Sequence, residues 1–383
     1  MIKSLPLGVL LVIAVQAQST SLVISGTGID LLPLSLDGTA LPSSVTYLSY
    51  SSTITVSAGQ IASTAPNETT TLFANGTTPI TTITTAPTAT LLVGTKLPSS
   101  TTAGSTNTAA QPANTQPCNQ YTEFCNRSYS NITYIAAHNS PFSQLNNIAS
   151  NQVLGLFDQL DDGVRMLQGQ THLVNNTVYY CHTSCDLLNA GTAESYFANI
   201  ATWLAANPYE VVTILIANGG YINVDNFIAP IRDSGLGKYA YTPPTIPMSL
   251  QAWPTLGQMI LRDQRAVIFM DYAADQIRVP YILDQFSQMW ETPFDPTSRD
   301  FPCTIQRPPG ISRDQAEERM YLMNHNLNAD IKLLSLDILI PNTVDLFLTN
   351  AVTGYGSLGM STSNCAGKRV PVLLTLHILD NAA

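Results

Sequence analysis

Beyond residue 118 the sequence alternates short apolar runs with amphipathic stretches. The runs 132–137, 164–168, 178–181, 211–217, 266–271 and 320–324 have the length and composition of strands, and 370–378 is a candidate last strand. Short runs this apolar suit parallel strands buried on both faces. Between two of them, 191–206 sets Phe197, Ile200, Ala201 and Leu204 at i, i+3, i+4 and i+7, one face of a helix. Asn207-Pro208 ends that helix, because the residue before a proline is driven out of the right-handed helical region. Strand and helix alternating over ~250 residues predict an α/β fold, a TIM-type (β/α) barrel with its reactive groups at the C-terminal ends of the strands. No 20–50-residue repeat is present, which excludes a solenoid.

The pattern before residue 118 is different. Lys3, the apolar run 5–15 and Gln16-Ala17-Gln18 have the order of a secretory signal peptide, residues 1–18. Residues 19–50 form a short N-terminal segment with β-type runs at 21–24 and 45–48, to which no chemistry attaches. Residues 51–117 are a Ser/Thr-rich linker: 51–115 contains 27 Ser or Thr and only two charges, Glu68 and Lys96. Such a segment buries too little apolar surface to offset chain entropy and reads as a disordered, O-glycosylated stalk. The barrel then spans 118–383.

Composition narrows the partners. The 383 residues are 45% hydrophobic, enough for a packed core, and only 11% charged. A net charge of −10 argues against a nucleic-acid partner, because phosphate binding relies on Lys and Arg. Six cysteines in a secreted chain should pair, and spacing favours Cys118–Cys125 and Cys181–Cys185, leaving Cys303–Cys365. CxxC is absent, which argues against a zinc ribbon. Glycosylation sequons stand at Asn67, Asn75, Asn126, Asn131 and Asn175.

Two histidines close apolar runs, His138 after 134–137 and His182 after 178–181. With a period of two, Tyr134, Ala136 and His138 share a face, as do Val178, Tyr180 and His182. If those faces point into a barrel, both imidazoles reach its upper rim, where they can act as base and acid near neutral pH. Two buried structural histidines are an equal alternative on spacing alone.

The stretches Ile-Thr-Tyr-Ile-Ala-Ala-His-Asn-Ser-Pro-Phe (132–142), Leu-Asp-Asp-Gly-Val-Arg-Met-Leu (160–167) and Cys181-His182 resemble the X-box of the phosphatidylinositol-specific phospholipase C superfamily. Asn218-Gly219-Gly220, Phe269-Met270-Asp271-Tyr272, Gln288-Met289-Trp290-Glu291 and Met323-Asn324-His325-Asn326 are similar to its secreted fungal branch of PLC-like phosphodiesterases. The resemblance covers roughly 118–369, and it implies the following chemistry. His138 takes a proton from a hydroxyl, such as the inositol 2-OH, as that oxygen attacks phosphorus. His182 protonates the leaving alcohol, giving a cyclic phosphate. Asn139 occupies the place of a metal ligand in the calcium-dependent members.

At Gln168 and Gln170 this sequence departs from that pattern, where relatives carry carboxylates or an Asp and an Arg. Glutamine offers an amide but no charge, so neither a Ca²⁺ site nor an Arg clamp on the phosphate can be read here, and no cofactor is expected. The missing phosphate charge puts turnover in question. Asn218 either bonds a substrate hydroxyl or serves the turn before Gly219-Gly220. Asp271 is a candidate for polar substrate contact, with a metal ligand and a salt-bridge partner as alternatives. His325, ending 320–324, is a candidate for the missing positive charge.

Two functions compete. One is a secreted phosphoric diester hydrolase, a monomer of lipid metabolism that touches a membrane surface transiently to reach a phospholipid or related phosphodiester. The other is a catalytically weakened barrel at the cell surface or cell wall, binding a lipid headgroup or a glycan. A glycosidase would need a facing carboxylate pair, and no pair of strand runs offers one. The last run, 370–378, stops five residues before the final Ala383 with no helix to cover it. A barrel incomplete at its last strand, with apolar surface exposed there, is expected.

Overall fold

The structure, a computed structural model, describes residues 41, 45–56, 115–147, 149–333, 336–366 and 373–376. The signal-peptide reading, most of the Ser/Thr-rich linker and the sequons Asn67 and Asn75 lie outside the described residues. Asn126, Asn131 and Asn175 are all exposed.

The strands, in chain order, are β1 Ile54–Thr55, β2 Tyr134–Ala137, β3 Met166–Val174, β4 Thr177–Cys181, β5 Asn189–Thr192, β6 Val212–Ala217 and β7 Thr245–Ile246. They continue with β8 Ala266–Met270, β9 Ile282–Asp284, β10 Met289–Glu291, β11 Met320–Asn324, β12 Asn328–Leu333, β13 Leu336–Pro341 and β14 Leu373–Leu376. The α-helices are α1 Leu156–Asp161, α2 Ala193–Ala206, α3 Ile228–Asp233, α4 Leu256–Leu261, α5 Gln285–Gln288, α6 Arg313–Glu317, α7 Leu346–Thr349 and α8 Leu358–Ala366. Each strand run expected from residue 132 onward overlaps an observed strand, whereas the β-type run at 45–48 forms none and the run at 21–24 lies outside the described residues. The expected helix is α2, opened by the Thr192 side chain accepting from the Ser195 N–H at 3.1 Å.

Eight strands form one path in the order β10-β11-β14-β2-β3-β6-β8-β9, every neighbouring pair parallel. The fold is α/β. The two ends of the path, β9 and β10, follow each other in the chain through the single turn α5. One small cavity touches Gln285 beyond β9, Glu291 in β10, and Gln168 and Leu215 midway along the path. The sheet therefore curls on itself. β14 seats between β11 and β2, with Leu373 opposite both Leu322 and Tyr134. The strand expected at 370–378 exists, over a shorter span. The expected exposure of apolar surface there concerns side chains outside the described ones.

Period-two alternation sorts the core. Tyr134, Met166, Leu215, Val267, Phe269, Met289 and Leu322 pack together on the concave side. Their neighbours Ile214, Ile216, Ile268 and Met270 pack outward on Phe197, Ile200 and Leu204 of α2 and Ile231 of α3. Burying each such side chain contributes about 1.5–3 kcal/mol. The three disulfides are those expected: Cys118–Cys125, Cys181–Cys185 and Cys303–Cys365.

Candidate active site

His138 follows β2 directly on its concave-side parity and is 6% exposed. The chain then turns sharply, because Asn139 adopts φ +51°, a left-handed conformation that asparagine tolerates. The turn sends the Asn139 N–H onto the Gln168 side-chain oxygen at 3.1 Å and the Ser140 N–H onto the Gln168 carbonyl at 2.7 Å. Close approach needs Gly169: a Cβ there would stand 2.8 Å from Pro141 and from the Tyr180 ring. Behind the turn, the Ser140 hydroxyl is buried between Gln159 and the Tyr196 hydroxyl. Gln152 Nε2 donates to the His138 carbonyl at 2.6 Å. The motif residues His138, Asn139 and Ser140 are thus braced from three sides.

His182 arrives by another route than the sequence suggested. β4 is not a strand of the parallel path but the return arm of a hairpin with β3, pairing antiparallel from Val174↔Thr177 to Thr171↔Tyr180. Asn175 and Asn176 both take positive φ, 49° and 63°, as a two-residue hairpin turn requires. That Asn-Asn pair between two β runs was the legible signal for the hairpin, and the sequence reading missed it. His182 follows β4 and stacks on Phe142, ring centroids 5.1 Å apart. Its Nδ1 donates to the Ala149 carbonyl at 2.7 Å, which leaves Nε2 as the acceptor of the neutral ring. Burial pushes the His182 pKa below its usual value.

Asn139 links the two imidazoles. Its Nδ2 lies 3.5 Å from His138 Nε2 and 3.3 Å from His182 Nε2, and also donates to Asn151 Oδ1 at 3.2 Å. Both ring nitrogens therefore stand within about 7 Å of each other. The structure brings together His138, Asn139, His182 and Gln168. Gln170 stands close by, half-buried near Gly219. Arg165, on the opposite parity, points away and pairs with Glu210 at 2.8 Å beside Trp203.

Gln168 also lines the cavity, whose other walls include Asp271, Gln285, Glu291, Arg307 and Asn324. Most of these are the last concave-side positions of successive strands, as alternation dictates. Arg307 is the exception. It sits in the irregular segment 292–312, which no periodicity marks, and an isolated bridge to Glu291 holds its backbone. Its guanidinium donates to Glu291 Oε2, from Nε at 2.9 Å and also from the second terminal nitrogen, and to the Tyr272 hydroxyl at 3.2 Å. It lies over the Phe294 ring, 3.9 Å from the centroid. Burial works against the Arg307 charge, but Glu291 outweighs it and holds the group protonated. The sequence reading looked for a cation among the strand ends and so passed over Arg307.

Two expected contacts have other occupations. Asn218 is fully buried; its Nδ2 donates to the Ile222 and Tyr272 carbonyls and its Oδ1 accepts from the Ile222 N–H. That is the turn alternative. His325 has outward parity and does not reach the cavity: it stacks on Phe301 at 3.8 Å with Nε2 3.2 Å from the Ser361 hydroxyl. Burial lowers its pKa to about 4, so it carries no positive charge near neutral pH.

Asp271 does line the cavity, accepting the Asn218 and Tyr272 N–H groups at 2.7 and 2.8 Å. Burial pushes it up to about 7, and burial likewise raises Asp284 to about 7 and Asp295 to about 6. An unfolded Asp titrates near 3.9. Between about pH 4 and 7 these three carboxyl groups therefore keep protons in the folded chain that they release on unfolding, so their contribution to stability falls as pH rises through that window. Asp271→Asn should stabilise the protein more at pH 8 than at pH 5, by roughly 1–2 kcal/mol in urea unfolding. An equal effect at both pH values would contradict the raised Asp271.

The donor set does not fit calcium. The groups around Asn139 are two imidazoles and two amides, and its own Nδ2 is turned inward as a donor. Ca²⁺ wants several anionic oxygens. Among the described residues no three His, Cys, Asp or Glu side chains cluster to hold a metal ion.

A family model, PI-PLC X, matches residues 124–382. An Arthroderma benhamiae protein named "Uncharacterized secreted protein" is 55% identical over 296 residues, covering 74% of this chain and 67% of the relative. A second protein of that fungus, "PI-PLC X domain-containing protein 1", is 40% identical over 252 residues, covering 65% of this chain and 79% of its own length. Among solved structures, the phosphatidylinositol-specific phospholipase C of Listeria monocytogenes aligns at TM-score 0.46 and 12% identity, covering 67% of this chain and 91% of that one.

Proposed function

From the premise that the chain belongs to the PI-PLC X family, we propose that it is a secreted phosphoric diester hydrolase cleaving an inositol phospholipid or related polyol phosphodiester. The observation that carries this reading is the pair of imidazole Nε2 atoms meeting on one Asn139 amide nitrogen. A phosphorus with its attacking and leaving oxygens in line can bridge such a separation. His138 accepts the proton of a substrate hydroxyl as that oxygen bonds to phosphorus. The bond from phosphorus to the other alcohol breaks, and His182 gives that oxygen a proton, releasing the alcohol and a cyclic phosphate. Water then opens the cycle with the two roles reversed, restoring both rings.

The small cavity beside this pair offers hydrogen-bonding groups that a single substrate hydroxyl could use. Gln168, Gln285 and Asn324 offer neutral amides, while Glu291 and Arg307 neutralise each other. Such a lining favours hydroxyl groups over a highly charged ligand. A barrel closed between β9 and β10 accounts for strand ends converging on that one cavity. Secretion agrees with the signal-peptide pattern, the three disulfides and the name of the fungal relative.

The second reading, a headgroup- or glycan-binding barrel without turnover, is favoured by Gln168 and Gln170, which bring no charge to the phosphate. One assay separates the two: release of diacylglycerol and cyclic inositol phosphate from phosphatidylinositol vesicles between pH 4 and 8, with and without chelator. The acid must start protonated, and burial lowers the His182 pKa. Activity should therefore be lost on the alkaline side at or below pH ~6.5, and the profile should be bell-shaped and indifferent to chelator. An optimum at pH 8 would remove His182 as the acid. Vesicle binding without product would favour the second reading.

A further inference from the structure

We propose that residues 45–56, which include the first six residues of the Ser/Thr-rich stretch, belong to the working site: they dock beside the cavity, and Tyr47 holds the wall that carries Arg307. The proposal rests on the polyol phosphodiesterase reading for its substrate, and on the docking geometry alone for the wall.

Side-chain exposure along this segment alternates. Val45, Tyr47, Ile54 and Val56 are buried or half-buried, while Thr46, Leu48 and Thr55 are exposed. That is the pattern of an extended chain lying on a surface. Its far end is fixed by backbone pairing: Ile54 lies opposite Ile246, Thr55 opposite Thr245, and the Val56 N–H donates to the Pro244 carbonyl at 2.9 Å. Its near end is fixed by aromatic packing. The Tyr47 ring meets Phe286 edge-on at 4.8 Å and lies 5.9 Å from Tyr272.

Those two rings flank the cavity cation. The Tyr272 hydroxyl accepts a hydrogen bond from Arg307, and the Arg307 guanidinium lies 5.6 Å from the Phe286 centroid. Tyr47 itself is within electrostatic reach of Arg307, Glu291 and Asp271. Arg307 is also the one charged wall residue drawn from an irregular segment rather than a strand end, so it depends most on neighbours for its position. The cavity is about 30 Å³, so a small drift of this wall changes its shape greatly. Tyr47 is thus a positioning residue that acts through Tyr272 and Phe286.

The test compares the full chain with Tyr47→Ala and Tyr47→Phe by two readouts. The first is hydrogen exchange with no ligand present. Peptides containing Tyr272, Phe286 and Arg307 should exchange about 10-fold faster in Tyr47→Ala and at the native rate in Tyr47→Phe. Unchanged exchange in Tyr47→Ala would overturn the proposal whatever the substrate proves to be. The second is kinetics on phosphatidylinositol vesicles, where Tyr47→Ala should raise KM about fivefold or more with kcat little changed, and Tyr47→Phe should restore it. A lower KM in Tyr47→Ala would mean that the segment obstructs the cavity, and would also overturn it. If the unmodified protein releases no product, the phosphodiesterase reading fails, while hydrogen exchange still decides the docking.

Discussion

Alanine at His138 or at His182 is expected to lower turnover by about 10²–10⁴-fold, the range for losing a general acid or base. Both rings are held by contacts that leave Nε2 toward the shared amide: His182 by the Ala149 carbonyl and the Phe142 ring, His138 by its place at the end of β2. The two groups act on one proton inventory, so the double replacement should be hardly worse than either single one. Stability should change far less than activity. The lost His182 hydrogen bond contributes about 1 kcal/mol, and the turn keeps its bonds from Asn139 and Ser140 to Gln168. Urea unfolding of the same preparations makes the distinction. Turnover like the wild type in either single variant rejects the acid–base pair, and an additive loss in the double variant rejects their joint action.

The second large effect concerns stability. Glu291→Ala should destabilise the protein by about 3–5 kcal/mol, because it strands a buried guanidinium. Glu291 is 2% exposed and Arg307 6%, so water cannot replace the lost partner. Glu291 also accepts from Gln285 and from Asn324 Nδ2, at 3.2 Å for the latter, and both amides would lose that acceptor. Replacing the pair together, Glu291→Leu with Arg307→Leu, should recover most of the loss, since an apolar pair of similar bulk needs no compensation. Denaturant midpoints of the three proteins test this. A Glu291→Ala cost under about 1 kcal/mol would mean that Arg307 is solvated, and would weaken its place in the cavity wall.

The candidate site was half legible in the sequence, and particular residues show why. His138 was visible because it continues the alternation of Tyr134 and Ala136 past the end of β2. Gln168 was visible only through the family resemblance, as a neutral residue at a position where relatives carry a charge. His182 was placed at the rim for a reason the fold does not use, since β4 returns along β3 instead of joining the parallel path. Asn218 and Asp271 are strand-end neighbours in sequence pattern, yet one is consumed by backbone hydrogen bonds and the other lines the cavity. His325 fell one residue past the concave-side Asn324, and that single step of parity put it against Phe301.

By itself the sequence determined what local physics controls: where apolar runs make strands, where helical spacing makes a helix and Asn207-Pro208 closes it, which cysteines are near enough to pair, and which face of a strand each residue occupies. Only the tertiary structure decided which distant segments meet. It inserted β14 between β11 and β2, joined Arg307 to Glu291, and laid Tyr47 on Tyr272 and Phe286. The physical reason is that such contacts follow from burial and charge compensation summed over the whole chain. A segment such as 292–312, with no period of its own, carries no local mark of the partner that will hold it.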